Sequence, residues 1–134
     1  MATAIARRRE GFTHDVEIEG GHALVLDEPE ERGGADAGPS PMRVVSAALA
    51  ACTAITVEMY ADRKDWELGA IEVEVEREDD GREGARSFTV TLRVPEPLTD
   101  EQRERLLVIA GKCPVHRALA GETHVAISDR IESG

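Results

Sequence analysis

Between Val44 and Val57 no side chain carries a charge, although 32% of the residues in the chain are Asp, Glu, Lys or Arg. A run so unlike its surroundings belongs in a protein interior. Just before it, Gly38-Pro39-Ser40-Pro41 ends a turn, offers Ser40 as an N-cap and sets Pro41 at a first helical position, so a helix is predicted from Pro41 to about Arg63. Val45, Leu49, Cys52, Ile55 and Met59 recur at steps of three and four and define its expected buried stripe. Alanines 47, 48, 50, 51 and 54 fill the other faces, which suits a central helix packed on several sides, in part by a second subunit. The charge-free run is about 14 residues, short of the ~20 that a bilayer span requires, so a core helix and no membrane segment is expected.

The remaining patterns alternate. Met1 to Arg9, Phe12 to Glu19 and His22 to Asp27 read as short strands joined at Gly11 and at Gly20-Gly21, the second a hairpin turn. A polar loop, Asp27 to Arg32, leads through Gly33-Gly34 to the helix. Beyond it, Ile71, Val73 and Val75 alternate with Glu72, Glu74 and Glu76, and Phe88, Val90, Leu92 and Val94 continue the alternation, which predicts an antiparallel pair ending at Pro95. Thr99 and Gln102 form a capping box for a helix from Asp100 to about Lys112. Its periodicity aims Cys113 inward. Pro114 then breaks that helix and opens a short one to Ala120, with Cys113 as N-cap, and Thr123 to Ile131 reads as a last strand. Strands and helices in this order predict a single α+β domain over residues 1–134.

Composition narrows the function classes. A net charge of -11 opposes a nucleic-acid partner, and Arg7-Arg8-Arg9, the only basic run, reads as a solvated strand. One Trp, one Tyr and two Phe leave aliphatic packing to supply most of the core, which again favours dimerisation. No charged n-region followed by an apolar h-region opens the chain, so a cytoplasmic location is expected. In a reducing compartment Cys52 and Cys113 are either inert core residues or working redox groups, and composition does not choose.

Local chemistry distinguishes the two thiols. Cys113 has a helix N-terminus and Lys112, His116 and Arg117 nearby in sequence, whereas Cys52 has only small and aliphatic neighbours, so sequence-local electrostatics makes Cys113 the more acidic. A metal site at Cys52, Cys113 and His116 lacks the close ligand pairing typical of zinc, and no metal is expected. Phosphate-loop, dinucleotide and nucleophile-elbow motifs are missing from the sequence.

Three stretches resemble a known family: His22 to Pro29 (HALVLDEP), Gly33 to Lys64 (GG-x3-GPSP followed by AALAACTAITVEMYADRK), and Cys113 to Leu119 (CPVHRAL). On these the chain resembles the OsmC-like branch of the OsmC/Ohr family, the osmotically inducible and organic hydroperoxide resistance proteins. The resemblance implies an α+β fold in which antiparallel sheets wrap around central helices in an intertwined homodimer. It implies a thiol-dependent peroxidase of the oxidative stress response, with Cys52 as the peroxidatic thiol attacking an organic hydroperoxide and Cys113 as the resolving thiol. A dithiol or lipoyl-type reductant would restore both thiols, and no cofactor is implied. This assignment opposes the local electrostatic reading. The family's peroxidases carry a glutamate directly after the proline that opens the central helix, paired with an upstream arginine; here Met42 stands at that position. Glu28, Arg32 and His116 are the candidates to substitute. The alternative is a non-enzymatic protein of the same fold that binds a small apolar ligand or senses oxidants.

Overall fold

The computed structural model describes residues 2–81 and 84–134. The chain divides into two compact units, Met1–Ala47 and Ala48–Gly134. In the first, β1 (Ala4–Glu10), β2 (Thr13–Ile18) and β3 (His22–Leu26) form an antiparallel meander in that order, with Ala4 opposite Ile18 and His14 opposite Leu26. Gly20 and Gly21 make the predicted hairpin at φ values of 96° and 83°, a conformation that costs glycine least.

After β3 the chain is drawn tightly over itself. A Cβ on Gly34 would stand 1.9 Å from the Glu28 carbonyl oxygen, and one on Gly38 would stand 2.1 Å from that of Val25. Two glycines of the GG-x3-GPSP stretch therefore mark close backbone contacts. A 3-10 turn, Glu30–Arg32, occupies the loop, and α1 (Pro41–Arg63) follows with the Arg43 amide donating to Ser40 Oγ at 3.4 Å, as the predicted cap requires.

In the second unit the remainder of α1 precedes the antiparallel hairpin of β4 (Glu72–Asp79) and β5 (Ala85–Arg93), then α2 (Asp100–Ala110) and α3 (Pro114–Leu119). Thr99 and Gln102 complete the capping box in both directions, at 3.1 and 3.0 Å. Val57, Tyr60, Ala61, Leu68, Leu106 and Ile109 are at the centre of the core, with Trp66, Leu92 and Leu98 against it. Each large aliphatic buried here contributes about 1.5–3 kcal/mol.

Two expectations are revised. The buried side of α1 is Leu49, Thr53, Val57, Tyr60 and Ala61, while Ile55 and Met59 are 51% and 59% exposed. In an alanine-rich helix, apolar on nearly every side, periodicity has too little contrast to locate the buried face. By length and composition alone α1 could cross a bilayer, but a core helix passes the same test, and one side of α1 supplies Val57, Tyr60 and Ala61 to this core. The second revision concerns the expected strand Thr123 to Ile131, which joins no ladder among the described residues; Val125, Ile127 and Ile131 are exposed. Alternation assigns side chains to faces, but a strand also needs a neighbour's backbone.

Candidate active site

The end of α2 and the start of α3 place Cys113. Gly111 terminates α2, Pro114 enters the first turn of α3, and the His116 amide donates to Cys113 Sγ at 3.4 Å in the predicted N-cap. The thiol is 0% exposed. Cys52, half-buried on α1 beside Thr53, lies close enough to the Cys113 thiol to act on its titration. Two cysteines far apart in the chain are thus neighbours in the C-terminal unit, both as free thiols.

This environment opposes the acidity that sequence-local charges suggested for Cys113. Burial pushes the Cys113 thiol above its ordinary range and the nearby Cys52 pushes the same way, against opposing contributions from the His116 and Val115 amides. Lys112 and Arg117 are exposed, so their charges are spent largely on water. Cys113 is held as a neutral thiol.

His116 is the third sequence candidate in this unit. Its ring is half-buried, and Nδ1 is fully buried without a partner among the described residues. It lines an open recess of about 310 Å³ together with Leu49, Phe88, Val90 and Leu119. Leu49 lies one turn before Cys52 on α1. A larger recess, about 650 Å³, lies between the end of β5 and α2 and contains no thiol or histidine, so its size does not make it the reactive site.

Glu28 and Arg32 lie in the N-terminal unit and face each other, Nε to Oε2, at 3.4 Å. The contact is ionic without hydrogen-bond geometry, since Glu28 Oε2 is buried and makes no such bond. Their loop is organised by Asp27, a residue the sequence patterns passed over. Asp27 is 2% exposed, and its carboxylate accepts from the Thr13 hydroxyl at 2.7 Å and from the amides of Glu28, Ala37 and Ala35 at 2.7, 3.2 and 3.3 Å. The Thr13 bond foremost, with the three amides, holds the carboxyl below the usual range despite burial. The available signal was an Asp directly after an apolar strand, heading a glycine-containing loop, where such side chains commonly bind nearby amides.

Met42 is in the first turn of α1, which contains no acidic residue. Among the described residues no three His, Cys, Asp or Glu side chains gather as metal ligands.

Residues 33–128 match the family model of the OsmC-like proteins. The chain belongs to this family. The matched span includes Cys52, Cys113 and His116 but begins after Glu28 and Arg32 in part of their loop: Glu28 and Arg32 precede it. Solved structures of OsmC/Ohr proteins share the α+β fold of antiparallel sheets and helices. A candidate osmotic stress induced and detoxification response protein of Psychrobacter arcticus 273-4 is 16% identical, with a TM-score of 0.81 and 88% of each chain covered. An organic hydroperoxide resistance protein OsmC of Legionella pneumophila is 24% identical, with a TM-score of 0.66 and 90% of each chain covered. A candidate organic hydroperoxide resistance protein of Vibrio cholerae O1 biovar eltor, with captopril bound in one of its active sites, is 26% identical, with a TM-score of 0.66 over 90% of this chain and 85% of the other. No curated protein matches.

Proposed function

We propose that this OsmC-like protein is a two-cysteine peroxidase for organic hydroperoxides. The observation that carries the reading is the proximity of two free thiols, the buried Cys113 and the half-buried Cys52, within one unit of the fold. In the first step the Cys52 thiolate attacks the outer oxygen of R–O–OH; an S–O bond forms, the O–O bond breaks, and the departing alkoxide takes a proton to become ROH. Cys52 is then a sulfenic acid, the first and reversible rung of cysteine oxidation. The Cys113 sulfur displaces its hydroxyl group, which leaves as water, and a Cys52–Cys113 disulfide remains. A dithiol, including one of the lipoyl type, reduces that bond and is itself oxidised to a disulfide.

The recess lined by Leu49, Phe88, Val90 and Leu119, residues of the same unit as both cysteines, supports an apolar R group. Glu28 and Arg32 are the supporting ion pair of this proposal, with Met42 unable to fill the carboxylate's place. The working unit is a cytoplasmic homodimer of single-domain chains, which would cover apolar side chains such as Ile55, Met59 and Ile127 that one chain leaves exposed.

The first turn of α1, with no carboxylate, favours a second reading, in which the protein binds an apolar ligand or senses oxidants without turnover. Reduced protein is mixed with cumene hydroperoxide while peroxide and free thiols are followed together. Peroxide loss with matching thiol loss, both abolished in Cys52→Ser, supports the enzyme. Unchanged peroxide with both thiols still free supports the binder.

A further inference from the structure

Disulfide closure is a matter of placement: the bond forms where two Cα atoms stand about 4.4–6.8 Å apart. One residue of slip moves a helix about 1.5 Å along its axis and turns it by about 100°, enough to carry a thiol out of reach. The apolar surfaces between α1 and α2 do little to prevent such a slip. Val57 and Ala61 of α1 share one cluster with Leu106, Ile109 and Ala110 of α2, and apolar contact is non-directional. The directional contact is at Tyr60. Its hydroxyl accepts from Arg105 Nε at 3.0 Å, the Arg105 guanidinium stands 5.6 Å from the ring centre, and Trp66 makes a T-shaped pair with the ring at 5.6 Å and 75°.

Resting on the two-cysteine reading, we propose that Tyr60 and Arg105 are positioning residues for the disulfide step: their contact sets the register of α1 against α2, and with it the approach of Cys113 to Cys52. The spacing carries this. Eight residues before Tyr60 on α1 is Cys52, about 12 Å away along the axis, and eight residues after Arg105 is Cys113. The two contacts therefore belong to one antiparallel alignment, with Tyr60 and Arg105 at one end and the two sulfurs at the other. The connection from α2 to Cys113 is short and hydrogen-bonded, so it transmits the register: Gly111 keeps helical dihedrals of -70° and -9°, and the amides of Lys112 and Cys113 donate back to the carbonyls of Ile109 and Ala110 at 2.9 and 3.4 Å. In the step itself the Cys113 sulfur bonds to the Cys52 sulfur as the S–O bond of the sulfenic acid breaks, and the hydroxyl leaves with the thiol proton as water.

Placement is separable from chemistry and from loss of stability. Tyr60→Phe, Arg105→Gln and the double variant are equilibrated with mixtures of reduced and oxidised dithiothreitol, which takes two hydrogens from the thiols or returns them, and the Cys52–Cys113 bridge is counted by alkylation and mass spectrometry. Each single substitution is expected to lower the equilibrium constant for the bridge about fivefold, on the scale of one hydrogen bond, and the double variant no further, since both remove the same contact. Thr99→Ala weakens α2 by removing its cap without touching Tyr60, and should leave that constant within about twofold of the parent. Consumption of the first equivalent of cumene hydroperoxide by Cys52 should also stay within about twofold in every variant, which reports that the variants are folded. Equilibria unchanged in both single variants, additive losses in the double one, an equal loss in Thr99→Ala, or equal slowing of the first step overturns the assignment while leaving the two-cysteine peroxidase standing. If the parent protein forms no bridge with either oxidant, the two-cysteine reading fails and takes this assignment with it.

Discussion

Asp27 and Cys113 are both acids cut off from water, at 2% and 0% exposure, yet their titrations have moved in opposite directions. Around Asp27 in the N-terminal unit, a hydroxyl and three amides point at one carboxylate, so the charged form is better served inside the protein than burial alone would allow. Around Cys113 in the C-terminal unit, the amides of His116 and Val115 are outweighed by burial, and the neighbouring Cys52 adds to the upward shift. Burial therefore does not set the sign; the number and direction of donors do. The first environment fixes a loop. The second keeps a thiol protonated beside another sulfur, which is the condition a resolving cysteine requires until its partner has been oxidised.

The comparison can be broken first at Asp27. Asp27→Ala leaves the Thr13 hydroxyl and three amides without their acceptor, and thermal denaturation should show the midpoint falling by about 5–10 °C, on the scale of lost buried hydrogen bonds. A midpoint unchanged from the parent would mean that the carboxylate does not organise the loop.

Acid sharpens the same point. With a folded value below that of the unfolded chain, about 3.9 for an ordinary Asp, the contribution of Asp27 is whole above the unfolded value and is lost as pH falls through the folded one. Asp27→Asn should therefore be less stable than the parent at neutral pH, and the difference should shrink as denaturation is repeated below about pH 4. A difference that grows in acid would reverse the sign assigned here.

At Cys113 the expected effect is a shift in reactivity. Alkylation followed by mass spectrometry should find this residue slow at about pH 8.5, a pH near the midpoint of an unhindered thiol. Cys52→Ala removes the neighbour that favours the neutral form, and the alkylation profile of Cys113 should move to lower pH. An unmoved profile would assign the whole shift to burial.

The smallest effects come from glycine. Gly34→Ala and Gly38→Ala push a Cβ into backbone at 1.9 and 2.1 Å, and each should lower the melting midpoint by several degrees, about 4 °C or more. Gly111→Ala, at φ -70° with its nearest atom 3.5 Å away, should change it little or raise it by the ~0.4–1 kcal/mol typical of a compatible site.

The strands, the helices and their caps were legible in the sequence because they rest on local rules: alternation in Ile71 to Val75, the Thr99–Gln102 box, and the Cys113-Pro114 start of α3 all stand where pattern put them. What escaped depended on groups remote in the chain. The true buried face of α1 is chosen by β5 and α2 residues such as Leu92 and Leu106, not by contrast within an alanine-rich helix. The upward shift of the Cys113 thiol followed burial and the nearby Cys52, neither visible from Lys112 or Arg117. Asp27 read only as the start of a polar loop because its amide partners come from a segment whose path only the fold reveals. Thr123 to Ile131 has the alternation of a strand but no ladder partner among the described residues.

Non-reducing peptide mapping after one equivalent of cumene hydroperoxide tests the central arrangement most directly. The account predicts an intrachain Cys52–Cys113 disulfide, the protein two hydrogens lighter, and one alcohol released for each bridge formed. A sulfenic or more oxidised Cys52 that persists while Cys113 remains open to alkylation would contradict it.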